Sequence, residues 1–147
     1  MTAGYKSPQF LRAVVDTLLP GETAKPSGRA ALPSGSAAGL DPATYAKVAR
    51  SALEAIVDAA GGASAFVRAA EADRIAVLRD VERKLPVPFR TLLAPVLADY
   101  YESRAVIAAF GWRAEPPQPR GHPLPPADEE THRRLDRVRQ RGKLWRG

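Results

Sequence analysis

The clearest helical signal in the chain runs from Asp41 to Gly62 and reads Asp-Pro-Ala-Thr-Tyr-Ala-Lys-Val-Ala-Arg-Ser-Ala-Leu-Glu-Ala-Ile-Val-Asp-Ala-Ala-Gly-Gly. Aspartate before proline favours a helix start, because the carboxylate caps free N–H groups and proline presets the first helical φ. Apolar residues then recur at helical spacing until the two glycines: Tyr45, Val48, Ala52, Ile56 and Ala59. The stretch predicts one long amphipathic helix.

The segment before this stretch predicts a shorter helix and then a loop. Ser7 and Pro8 supply a capping hydroxyl and a suitable first helical residue, and apolar residues follow at four-residue spacing until Pro20. Residues 22–40 are rich in Gly, Ser, Ala and Pro, which cannot maintain a periodic apolar face. We therefore expect a long surface loop between the first two helices.

The segment after the two glycines predicts further helices. Ser64 is placed to cap a short turn, and a third main helix should close at Pro86. An apolar stripe over residues 89–101 continues across Pro95, so we expect one kinked helix there.

The C-terminal third begins with one more short helix, which Ser103 should cap and Gly111 should end. Six of the eleven residues from 116 to 126 are proline, which imposes an extended path. Asp128 and Gly142 favour the start and end of a last helix with little apolar surface.

These segments predict an all-α fold. The 147 residues fit one domain, since a domain usually takes roughly 100 to 200 residues. We expect a compact bundle of about five helices in residues 1–112, with the surface loop at 22–40. Residues 113–147 should form a proline-rich arm and a basic tail.

Composition excludes several classes of protein. The chain has no cysteine, so it forms no disulfide, thiolate zinc site or cysteine-ligated cluster. No run of about 18 apolar residues is present, so we expect no membrane span. The first residues lack a secretory pattern. We expect a cytoplasmic location, or a periplasmic one if a signal has been removed.

The sequence offers no recognisable catalytic or metal-binding constellation. The two histidines, His122 and His132, lack the spacing of zinc ligands, and no nucleophile elbow or phosphate loop is present. The carboxylate pairs Asp73 with Asp80 and Asp99 with Glu102 have arginines nearby and are typical of solvated helix faces. We expect no catalytic residue, metal or cofactor in this chain, and no activity from it alone.

The net charge of +6 comes from the C-terminal tail. Residues 1–132 balance 15 basic against 15 acidic side chains, whereas residues 133–147 carry seven basic side chains and one acid. Arginines beside an aromatic residue are also found in nucleic-acid-binding segments. A helical nucleic-acid-binding module that uses this tail is therefore the alternative function.

The candidate binding residues are aromatic and basic side chains near the arm. Trp, Tyr and Arg dominate the energetics of protein interfaces. One of the two neighbouring tyrosines should pack in the core and the other at the surface. We predict contacts with a partner subunit or a second copy of this chain for Tyr100, Tyr101, Trp112, Arg113, Arg120, His122, Trp145 and Arg146.

Three stretches of the sequence resemble the gluconate 2-dehydrogenase subunit 3 family. They are Phe10-Leu-Arg-Ala-Val-Val-Asp-Thr-Leu-Leu-Pro20, Leu92-Leu-Ala-Pro-Val-Leu-Ala-Asp-Tyr-Tyr-Glu-Ser-Arg104 and Phe110-Gly-Trp112. The resemblance implies a small helical accessory subunit of a larger flavin-dependent dehydrogenase that acts on sugars, sugar acids or glycosides. It implies that FAD, and any haem, belong to other subunits. We expect this chain to bind and stabilise such a flavoprotein.

Overall fold

A computed structural model of the chain describes residues 3–23, 27–113, 121 and 126–142. The chain consists of two compact units, Met1–Ala114 and Glu115–Gly147, each with most of its residue contacts inside the unit. All regular secondary structure in the described residues is helical, which confirms the all-α prediction. No described helix combines the length and hydrophobicity needed to cross a bilayer.

The first unit contains more helices than the five expected. Its described residues form a 3-10 helix, Ala3–Lys6, and seven α-helices. These are α1 (Pro8–Leu18), α2 (Pro42–Val48), α3 (Arg50–Ala59), α4 (Ala63–Arg68), α5 (Glu71–Lys84), α6 (Pro86–Glu102) and α7 (Arg104–Ala109). The second unit contains α8 (Glu129–Gln140).

The long helix predicted from Asp41 onward is in fact two helices. Ala49 leaves the helical region with φ −117° and ψ 30°, ends α2 and begins α3. Asp41 caps α2 as expected, since its side chain accepts the Ala43 N–H. The break buries Ala49 and leaves Val48 55% exposed, although the uniform helical spacing had placed Val48 on the apolar face.

The prediction that Ser64 caps the next helix is also wrong. The residue before α4 is Gly62, whose φ of +129° is costly for residues with a Cβ. Because α4 begins at Ala63, Ser64 lies inside its first turn. Ser7 does precede α1, but its side chain makes no capping hydrogen bond.

The core is built from buried apolar residues of α1 to α6. α6 stays one helix across Pro95, in agreement with the sequence prediction, and buries Phe89, Leu92, Val96 and Tyr100. The rings of Phe10 in α1 and Phe66 in α4 meet edge to face, 5.5 Å between centroids. The largest fully buried side chains are Tyr45, Phe10, Phe66, Leu53, Ile56, Leu92, Val14, Val15, Val96 and Val106.

Polar contacts anchor the loop between α1 and α2 to the bundle. Ser36 donates both its backbone N–H and its hydroxyl to the Asp16 carboxylate, each at 2.7 Å. Farther along, the Glu22 N–H donates to Leu32 O at 2.9 Å, and the Leu32 N–H donates to Glu22 Oε2 at 2.8 Å. The described part of the predicted loop therefore has a defined path over the bundle.

Candidate functional site

Tyr100 and Tyr101 occupy different environments at the end of α6. Tyr100 is buried, and its hydroxyl donates to Pro33 O in the loop at 2.7 Å. Tyr101 is 54% exposed and meets the Tyr100 ring edge to face, 5.4 Å between centroids. The structure thus gives Tyr100 a positioning role beneath Tyr101, and only Tyr101 presents a largely exposed ring.

Trp112 is held at the surface by the end of α7. Ser103 caps this helix as expected, accepting the Val106 N–H, and Gly111 ends it with φ +73°. The Trp112 N–H then donates to Ile107 O at 3.0 Å, a bond typical of a Schellman ending. The Trp112 side chain is 65% exposed. Its backbone is therefore fixed while its indole remains available.

The indole of Trp112 stacks on Phe110, with 4.9 Å between ring centroids and 21° between planes. On the same Phe110 ring, the guanidinium carbon of Arg29 lies 5.5 Å from the centroid, within the range of a cation–π interaction. A loop residue distant in sequence therefore joins the aromatic side chains around α7.

Arg29 is fixed by a bidentate ion pair. Its two terminal nitrogens donate to the two carboxylate oxygens of Glu22 at 2.6 and 2.7 Å. The hydrogen bonds from Arg29 and from the Leu32 N–H lower the pKa of Glu22 to about 2. The Glu22 carboxylate, and to a smaller extent Tyr100, raise the pKa of Arg29. The ion pair thus holds the charged guanidinium against the Phe110 ring.

We call Arg29, Phe110 and Trp112 the aromatic patch. Tyr101 is linked to the loop that carries Arg29 through Tyr100, whose ring meets the Tyr101 ring and whose hydroxyl donates to Pro33 O. The patch offers aromatic faces and one cation, which suit apolar contact, stacking and cation–π interactions with another macromolecule. Among the described residues, no group of three or more His, Asp and Glu side chains is placed to hold a metal.

The other predicted binding residues are only partly described. Arg113 directly follows Trp112 and is exposed. Arg120, His122, Trp145 and Arg146 lie outside the described residues. The structure therefore groups Trp112 with two residues that the sequence did not single out as binding residues, Arg29 and Phe110.

In the second unit, α8 shows how part of the basic tail is arranged. Asp128 caps the helix by accepting the Thr131 N–H at 2.7 Å. None of its residues is buried. Three arginines pair with acids on the same helix, as Glu129 with Arg133, Glu130 with Arg134 and Asp136 with Arg139. Three of the five arginines in residues 133–142 are therefore paired with acids.

No family model, curated protein or solved structure matches the chain. The aromatic patch is therefore interpreted from its own geometry. A signal for Phe110 was present in the sequence, because Phe-Gly-Trp places two rings on either side of a helix-ending glycine. No comparable signal pointed to Arg29, whose place depends on the path of the loop.

Proposed function

We propose that this protein is a non-catalytic accessory subunit that binds and stabilises a larger flavin-dependent oxidoreductase acting on sugars, sugar acids or glycosides. The aromatic patch is the proposed docking surface. The observation that carries the proposal is the exposed stack of Trp112 on Phe110, next to the fixed cation of Arg29. One of the sequence stretches that resemble the accessory-subunit family, Phe110-Gly-Trp112, contributes two residues to this patch.

The geometry favours binding because the patch is already ordered. Trp, Tyr and Arg supply most hot-spot energy at protein interfaces. The Schellman ending fixes the backbone at Trp112, and the Glu22 carboxylate fixes Arg29. Side chains that are held in place before binding lose less conformational entropy on docking. A small rigid patch can therefore contribute more affinity than its area suggests.

The arm that follows the patch should add to the interface. Its six prolines restrict the chain before binding, so docking it costs less entropy than ordering a flexible tail. The patch and the arm are consecutive in the sequence, so both can take part in binding one partner.

Two truncated chains separate these contributions. A chain ending at Arg113 keeps the patch and loses the arm, whereas a chain ending at Gly111 also loses Trp112. Both should keep the helical body and its thermal transition, because the buried residues lie upstream. In co-expression with the source organism's flavoproteins, full-length protein should capture a protein with a flavin absorption spectrum. Capture should fall for the Arg113 chain and vanish for the Gly111 chain.

Three results would overturn the proposal. The full-length chain could fail to capture any flavin-containing protein under conditions where it is folded. The Gly111 chain could bind the flavoprotein as fully as the intact chain, which would place the interface elsewhere on the helices. The purified chain could itself turn over a substrate, which would contradict a non-catalytic role.

The charge of residues 133–147 favours nucleic-acid binding as the second candidate function. Salt distinguishes it from the first. Binding to phosphates releases counterions and weakens steeply between 50 and 200 mM salt, by roughly 10³ or more for six to ten contacts. Binding of the aromatic patch should change little over that range. Tight, salt-sensitive binding to DNA or RNA would favour the second candidate.

A further inference from the structure

A pocket of about 500 Å³ lies among the 3-10 helix, α1, α2 and the start of α3. It is separate from the aromatic patch and has no part in the proposed docking. Its apolar lining includes Tyr5 and Leu11, both buried, and Ala46. Its volume falls within the roughly 300 to 1,000 Å³ typical of small-molecule sites. The pocket can therefore hold a ligand with a short apolar tail.

Three cations line the same pocket. The Lys6 ammonium lies 5.7 Å from the centroid of the Tyr5 ring, and the Arg50 guanidinium carbon lies 5.9 Å from it. Lys47 is the third and is exposed. Basic groups thus stand close to the apolar lining of the pocket.

Only one of these cations has an acidic partner in the described part of the chain. Glu54 accepts a hydrogen bond from Arg50 Nε at 2.9 Å. This bond uses the side nitrogen of the guanidinium and leaves its terminal nitrogens without a described acceptor. Three cations and one carboxylate give the pocket an excess of positive charge.

We infer that this pocket binds a small amphipathic carboxylate, with its apolar tail against Tyr5, Leu11 and Ala46. The carboxylate would lie among Lys6, Lys47 and Arg50. The charge favours an anion, since a carboxylate restores neutrality and accepts hydrogen bonds from the free basic donors. The apolar lining favours a ligand with a hydrocarbon chain over a purely polar anion such as inorganic phosphate.

A second pocket on the same unit provides an internal comparison. It has about 420 Å³ and is lined by Asp41, Asp99 and Glu102 together with Arg104. Three carboxylates against one guanidinium repel an anion. A carboxylate probe that binds through charge complementarity should therefore choose the first pocket and leave this acidic one empty.

The test is a titration of the full chain with decanoate, followed by ¹H–¹⁵N NMR chemical shifts. Decyltrimethylammonium, which has the same chain length and the opposite charge, is the matched control probe. Decanoate should saturate, with the largest shifts at Tyr5, Lys47 and Arg50. The cationic probe should give no saturable shifts at these residues.

Variants locate the site. Lys47→Glu reverses one exposed charge, and Ala43→Leu narrows the pocket from its exposed edge. Each should weaken decanoate binding at least fivefold. Arg104→Glu, in the acidic pocket, should leave the affinity within twofold. Circular dichroism checks that all three variants are folded.

The inference is overturned if decanoate gives no saturable shifts or if its shifts map elsewhere. It is also overturned if both probes bind equally well, which would indicate a merely apolar surface. Equal weakening by Lys47→Glu and Arg104→Glu would mean that only net charge matters and would likewise contradict a defined site. None of these outcomes depends on the flavoprotein proposal.

Discussion

The hydroxyl of Tyr45 in α2 donates a 2.7 Å hydrogen bond to the Asp99 carboxylate in α6, 54 residues away. The next residue of α6, Tyr100, donates its hydroxyl to Pro33 O at 2.7 Å. Two consecutive residues thus tie both α2 and the loop to the end of α6. Tyr101 follows them in α6, so these bonds also help to fix the position of Tyr101.

Tyr45→Phe should destabilise the fold without changing its helical content. The ring still fills the core, but the charge-assisted bond to Asp99 is lost, and such bonds contribute about 1.5 to 3 kcal/mol. Because Asp99 is exposed and can be resolvated, we expect the lower end of that range. Urea unfolding measures the loss. Tyr101→Phe is the control and should leave the urea midpoint unchanged. Equal midpoints for the two variants would mean that the Tyr45–Asp99 hydrogen bond does not stabilise the fold.

Acid should remove the contribution of Glu22 to stability. Its pKa is lowered from 4.5 to about 2 by the bonds from Arg29 and Leu32, so the unfolded chain takes up the proton first as pH falls. The stabilisation is complete above pH 4.5 and is lost as the pH falls from there to about 2. The melting temperature of wild type should exceed that of Glu22→Gln at pH 7, and the gap should close over this interval. A gap independent of pH would contradict this role.

Leu78→Ala should open a cavity beneath α5. Leu78 is buried, and truncating such a leucine typically costs about 2 to 5 kcal/mol. Leu85→Ala, at the more exposed residue that ends α5, should cost clearly less. Chemical denaturation of both variants measures the difference. Equal losses of stability in the two variants would mean that α5 does not bury the face that carries Leu78.

Pro95→Ala should leave the fold intact. α6 continues through this position, and alanine restores an N–H that can reach the carbonyl of Thr91. In exposed helix interiors, proline is about 3 kcal/mol less favourable than alanine. The unfolding midpoint should be unchanged or higher, with wild-type circular dichroism. Loss of helical signal would show that packing in α6 requires the proline.

The sequence correctly predicted helix starts that depend on a residue's immediate neighbours in the chain. Asp41, Ser103 and Asp128 cap helices as expected, because a short side chain with an acceptor satisfies N–H groups a few residues away. The break at Ala49 was missed, since alanine is the strongest helix former and no residue there signals an end. The two helices separated by Ala49 pack differently against the bundle, and local propensity does not report such packing.

Only part of the candidate site could be predicted from the sequence. Trp112 could be singled out from the sequence because its residue type is common at interfaces and it follows a glycine that marks a helix end. Arg29 could not, because its contact with Phe110 depends on a loop held by Glu22, Pro33 and Asp16. Contacts over such sequence separations follow from the tertiary fold and leave no periodic pattern.

The most direct test of the proposed function is the dissociation constant between this protein and the flavoprotein that it captures, measured for wild type and Trp112→Ala. Removing a hot-spot tryptophan typically costs 2 kcal/mol or more, so Trp112→Ala should weaken binding by about thirtyfold. The control is Val87→Ala, which removes an exposed apolar side chain near the other end of α6 and should leave the constant within twofold. A Trp112→Ala constant within twofold of wild type would contradict docking through the aromatic patch.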